Sequence, residues 1–125
     1  MASVMPLRSL TSPVLKWPDL KTVDSAARAW AADQGSCRPH LKRLGYFGSY
    51  ARGDWGVGSD LDLVAVVSSA GEPFERRALE WDLHDLPVPA EILIYTGEEW
   101  ERLLRAGGRF AQMLIQETVW LYRRD

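Results

Sequence analysis

At 125 residues the chain has room for one hydrophobic core and not for two. Its 46% hydrophobic and 26% charged residues are the composition of a folded globular protein and argue against disorder. A formal net charge of −2 argues against non-specific nucleic-acid binding through an overall basic field, and a single cysteine, Cys37, rules out an intrachain disulfide and a cysteine-based zinc framework.

In chain order, residues 1–18 hold Pro6, Pro13 and Pro18 and read as an irregular N-terminal arm, with a domain over residues 19–125. The arm lacks the basic start and sustained apolar stretch of a signal peptide, and no apolar run approaches the roughly 20 residues that cross a bilayer. A cytoplasmic protein with no membrane segment is expected. Asp19 is placed to cap a helix over residues 19–33, where Leu20, Val23, Ala27, Trp30 and Ala31 recur at helical spacing and Gly35 ends the pattern.

Residues 43–47 read as a short strand, Gly48-Ser49 as a turn, residues 50–53 as a helical piece and the glycine-bearing residues 54–59 as a loop. Residues 61–67 form the clearest strand, apolar almost throughout after Asp62 and so expected at the centre of a sheet covered on both faces. A helix is expected over residues 72–84, with Phe74, Leu79, Trp81 and Leu83 among its apolar positions, and a third strand over residues 88–95. Thr96 and Glu99 have capping-box spacing, Gly107-Gly108 breaks the helix they begin, residues 110–116 are helical again, and residues 119–122 are an edge strand or a helix continuation. The order implies a small α/β (α+β) fold, a mixed sheet with helices mainly on one face. The six tryptophans lie far apart and read as packing residues.

The chemistry concentrates in Gly48-Ser49-Tyr50-Ala51-Arg52-Gly53 and Ser59-Asp60-Leu61-Asp62-Leu63. A glycine directly after a strand lets a ligand approach the backbone, and amides at the start of a helical turn attract phosphate. Asp60 and Asp62, two apart at a strand head, are expected on one face about 6.5–7 Å apart along the strand, where they can hold hard cations against a triphosphate. Glu91 is the acidic residue of the third strand, and a charge in so apolar a run is costly to bury unless paired or metal-bound. It is the natural third ligand or general base. Taken singly, each piece has a plainer reading: Asp-x-Asp pairs cap turns, Gly-Ser starts ordinary helices, and a strand glutamate faces solvent. Their order around one strand-turn-helix points to a metal–phosphate site. His40 and His84 lie outside it and read as surface or loop histidines, and Cys37 as an inert thiol.

These two segments resemble the Gly-Ser-x-Ala-Arg-Gly … Ser-Asp-x-Asp-Leu signature of the DNA polymerase beta-like nucleotidyltransferase superfamily, and the short chain is similar to its minimal nucleotidyltransferases. The resemblance implies two magnesium ions at Asp60, Asp62 and Glu91, and ATP or another nucleoside triphosphate at Gly48, Ser49, Arg52 and Ser59. Arg52 looks more like a brace to a nearby carboxylate than a phosphate ligand. The implied reaction moves a nucleoside monophosphate, AMP from ATP, to an acceptor hydroxyl. In one departure the third carboxylate, usually aspartate, is Glu91, whose extra methylene strains an octahedral magnesium shell. Minimal nucleotidyltransferases often pair as antitoxins with a HEPN-domain toxin, so such a partner is a second expectation. So is a homodimer, since a second chain would complete a cleft this short domain leaves open. The alternative is a catalytically weakened module that binds nucleotide or a partner.

Overall fold

The computed structural model describes residues 17–124. Of the expected N-terminal arm, residues 1–16 lie outside the described residues. Asp19 caps the first helix, α1 (Leu20–Cys37), by accepting a hydrogen bond from the Thr22 amide at 2.9 Å. Val23, Ala27, Trp30 and Ala31 form its buried face. The helix does not stop at Gly35 as expected. Gly35 is buried inside it, and a Cβ there would collide with the ring of Tyr122, so the glycine serves close packing rather than termination. Gly35→Ala, favourable by helix propensity alone, is therefore expected to destabilise the protein by about 1–3 kcal/mol in urea denaturation.

Four strands follow: β1 (Leu41–Phe47), β2 (Leu61–Val67), β3 (Ala90–Thr96) and β4 (Val119–Arg123). They form one mixed sheet in the order β3-β2-β1-β4, with β2 and β3 parallel and both β1 pairings antiparallel. Period-2 alternation splits β2 between two cores. Leu61, Leu63, Ala65 and Val67 pack with the α1 residues, whereas Val64 and Val66 pack with Phe47, Trp100 and Leu114. Trp100 belongs to α4 (Gly97–Ala106) and Leu114 to α5 (Arg109–Glu117). The mixed sheet is as expected, but its helices are shared out: α4 and α5 lie together on one face and α1 on the other. A strand apolar on both sides requires that cover.

The short helix α2 (Ser49–Arg52) joins β1 to the loop before β2. The long helix expected over residues 72–84 shrinks to α3 (Phe74–Arg77) and a 3₁₀ turn, Ala78–Glu80. Leu79 is 78% exposed whereas Trp81 is buried, so the apolar positions do not form one stripe of a helix. The Asp82 carboxylate accepts the His84 amide at 2.9 Å, a local bond that competes with helix continuation. The capping box is present, with the Thr96 amide donating to Glu99 at 2.9 Å and the Glu99 amide to the Thr96 hydroxyl at 3.2 Å. Gly107 and Gly108, at φ of +75° and +95°, make the corner between α4 and α5. The final segment is an edge strand beside β1, not a continuation of α5. Trp30, Trp81 and Trp100 are buried and Trp17, Trp55 and Trp120 partly buried, so tryptophan serves packing here.

Candidate active site

The expected site residues meet where β1 ends and β2 begins. Directly after Phe47 the chain turns at Gly48, with φ +81° and ψ −148°, a region open in practice to glycine alone. Glycine is needed a second time for space, since a Cβ at Gly48 would collide with the carboxylate of Asp62. Gly48→Ala is thus expected to cost about 1–3 kcal/mol of backbone strain and to push the Asp62 side chain aside, visible as a lower melting temperature and weaker divalent-cation binding.

Asp62 stands opposite Phe47 on β1 and opposite Glu91 on β3. Laterally paired residues share a face of the sheet, so the two carboxylates project from the same side, the one covered by α4 and α5. Parallel pairing of β2 with β3 brings them together from 29 positions apart in the chain, with all of α3 between them. Asp60 is not on the strand as expected. β2 starts at Leu61, and Asp60 is the last, exposed residue of the loop. It is still close enough to act on Asp62, whose carboxyl is held above its ordinary range first by burial, then by the charges of Glu91 and Asp60, with Arg52 opposing weakly.

That excess of negative charge is what a divalent cation relieves, and oxygen donors suit magnesium, so the residues fit the implied metal by chemistry. Among the described residues no three side chains already stand in a metal-holding cluster. Asp60 and Glu91 are both exposed, so the donor set is open to solvent.

Ser49 opens α2, half-buried. Arg52, at its end, donates to Asp54 at 3.1 Å and to Glu117 of α5 at 3.1 Å, which is the bracing role expected of it. Ser59 closes a turn, its hydroxyl accepting from the Gly56 amide at 2.8 Å and its amide donating to the Gly56 carbonyl at 2.9 Å. The hydroxyl expected at the nucleotide is thereby engaged in the turn. Two further residues belong to this region, Tyr50, which is 1% exposed beneath this loop, and Glu117. An aromatic in the variable position of the signature was a weak signal for Tyr50. Nothing local marks Glu117 as the partner of a residue 65 positions earlier.

The residues set aside earlier stay apart. His40 contacts Ser68 at the far end of β2, His84 pairs with nearby Asp82 at 2.8 Å, and Cys37 is exposed at the end of α1. A cavity of about 310 Å³ also lies at that far end, lined by Arg38, Trp81 and Arg77, and holds none of the expected site residues. The carboxylate group is the stronger candidate, because there two acids stand level on neighbouring strands with a third beside them, against the bare backbone of Gly48.

No curated protein matches the chain at a significant level. Among solved structures it is similar to a candidate nucleotidyltransferase of Sulfolobus solfataricus, at 18% identity and a TM-score of 0.52 over 84% of each chain. It is also similar to a toxin–antitoxin solved with AMP-PNP, at 16% identity, a TM-score of 0.52, and coverage of 81% of this chain and 73% of that one. A third is a toxin–antitoxin MntA–HpeT carrying two aspartate-to-glutamate changes, at 14% identity, a TM-score of 0.52 and the same coverage, 81% and 73%. At these identities the likeness is one of fold. The profile of the nucleotidyltransferase domain matches residues 34–119, from the last turn of α1 through the whole carboxylate site to the start of β4. On that match the chain belongs to the nucleotidyltransferase domain family.

Proposed function

We propose that the protein transfers AMP from ATP to an acceptor hydroxyl, using two magnesium ions held by Asp60, Asp62 and Glu91. The observation that carries this reading is the placement of Asp62: paired laterally with Glu91, preceded by Asp60 and pressed against the bare backbone of Gly48. Gly48 and Ser49 receive the polyphosphate, because a side chain is missing at the one and α2 begins at the other. Bound divalent ions would supply charge neutralisation on the phosphates and a more acidic acceptor hydroxyl. Where it is not itself bound to an ion, Glu91, exposed and level with Asp62, would take the proton of that hydroxyl. The acceptor oxygen bonds to the α-phosphorus, the bond from that phosphorus to the bridging oxygen breaks, and pyrophosphate leaves. Arg52, committed to Asp54 and Glu117, ties α2 to α5 and keeps the phosphate turn rigid.

The biological setting we favour is that of a cytoplasmic antitoxin whose partner is a HEPN-domain toxin. It is supported by the two toxin–antitoxin structures, and the AMP-PNP of one supports an adenine nucleotide. The glutamate changes of the other are two positions apart, the spacing of Asp60 and Asp62. A partner chain or a second copy would complete the cleft around the base.

A second reading, nucleotide or partner binding without transfer, is favoured by Glu91: its longer side chain is exposed, and no three-donor cluster is assembled among the described residues. Incubation with α-labelled ATP and magnesium, alone and with the product of a neighbouring all-helical reading frame, separates the two. Label on an acceptor together with pyrophosphate release supports transfer. Magnesium-dependent ATP binding with neither product overturns transfer in favour of the binding module.

A further inference from the structure

Asp60 differs from Asp62 in having no strand to fix it, yet both peptide planes that flank its Cα are held. The plane before it carries the Ser59 carbonyl, which accepts a hydrogen bond from the Tyr50 hydroxyl at 3.3 Å. The plane after it carries the Leu61 amide, which donates to the Pro89 carbonyl at 2.8 Å. Fixing both planes fixes the φ and ψ of the residue between them, and with them the direction of its Cα–Cβ bond.

Tyr50 is itself immobilised. It is 1% exposed, its oxygen accepts from the Trp17 indole N–H at 2.8 Å, and its ring stacks on Trp55 at 5.5 Å and 10°. Trp55 lies in the same loop as Asp60, so Tyr50 grips that loop near both ends, by ring stacking at one and by its hydroxyl at the other.

We infer that Tyr50 is a positioning residue that aims the Asp60 carboxylate at the cation site beside Asp62. Tyr50 also lies in α2, which starts at Ser49, so one helix sets both the phosphate turn and the loop acid. The inference rests on Asp60 being a metal ligand, as proposed above. A core-filling role alone would require only the ring, and the phenylalanine variant keeps the ring.

The test is Mn²⁺ titration followed by electron paramagnetic resonance on the full chain, for wild type, Tyr50→Phe, Asp60→Asn and the double variant. Tyr50→Phe is expected to bind Mn²⁺ about tenfold more weakly, as loss of a ligand-orienting partner does, with near-wild-type circular dichroism. In the Asp60→Asn background the same change is expected to cost nothing further, because the group it aims is gone. Wild-type affinity in Tyr50→Phe, or an undiminished loss in the double variant, overturns the inference while Asp60 stands as a ligand. Equal Mn²⁺ affinity in wild type and Asp60→Asn overturns the metal reading itself and the inference with it. Should Tyr50→Phe not fold, Trp55→Ala loosens the same loop from its other end. It is then expected to weaken Mn²⁺ binding several-fold, again only when Asp60 is present, and unchanged affinity overturns the inference.

Discussion

Asp62→Asn is expected to lower nucleotidyl transfer by about a thousandfold while raising the melting temperature of the metal-free protein at pH 7. The first effect follows from the role proposed for this carboxylate in holding the cations of the reaction, whose loss removes several kcal/mol of transition-state stabilisation. The second follows from the same carboxylate being unfavourable in the empty site, where burial and the charges of Glu91 and Asp60 disfavour its ionised form. Because its folded-state affinity for a proton is raised, the group favours the fold fully only below its ordinary titration range. That contribution is lost as pH rises through the raised folded value. The gain in the Asn variant should therefore be present at pH 7 and vanish in acid. Saturating Mn²⁺ should reverse the order by stabilising wild type alone. Melting curves at two pH values, with and without the metal, read all of this. An Asn variant less stable than wild type without metal would contradict the electrostatic account of the site.

Glu99→Ala is expected to be the most damaging change away from that site, at about 3–5 kcal/mol of stability. Arg77 is 9% exposed at its side chain, and Glu99, 30% exposed, meets it with both oxygens at 2.6 and 3.2 Å. The guanidinium also donates to the carbonyls of Glu72 at 2.9 Å and Ile94 at 3.0 Å, which fastens α3 to β3. Truncation leaves a buried cation without its counter-charge and removes half of the α4 capping box, since Glu99 also accepts the Thr96 amide. The Arg77 guanidinium holds the Glu99 carboxyl down at about 2. A depressed carboxylate stabilises the fold above its ordinary range near 4.5 and loses that contribution as pH falls toward about 2. Urea midpoints of wild type and Glu99→Gln should accordingly differ most at neutral pH and converge in acid. A difference unchanged down to pH 3 would assign the loss to packing instead.

The parts that could be read directly from the chain are those whose cause is local. The Asp19 cap, the Thr96–Glu99 box and the Gly107-Gly108 corner each involve groups within a turn of one another. β2 was legible because seven successive residues carry their own burial pattern. The turn at Gly48-Ser49 and the acidic pair stand out along the chain for a related reason: under the proposed function, backbone approach and metal charge need particular residue types at fixed short spacing.

What was misread had a distant cause. Gly35 looks like a helix stop until the Tyr122 ring, 87 positions on, is seen to occupy the space of its side chain. Residues 72–84 carry enough apolar side chains for a helix, but Leu79 has no surface to cover and Asp82 offers the backbone a competing bond. Nothing along the chain names Glu117 as the counter-charge of Arg52, or Tyr50 as the support of Asp60.

Residue type and short spacing were therefore enough to establish the kind of chemistry, the central strand and the helix caps, because those forces act across a few bonds. Chain folding alone settled that Glu91 stands level with Asp62, that Asp60 hangs from a loop and that helices cover both faces. Strand register and helix placement come from burying apolar surface contributed by segments far apart, a quantity no single stretch of residues contains.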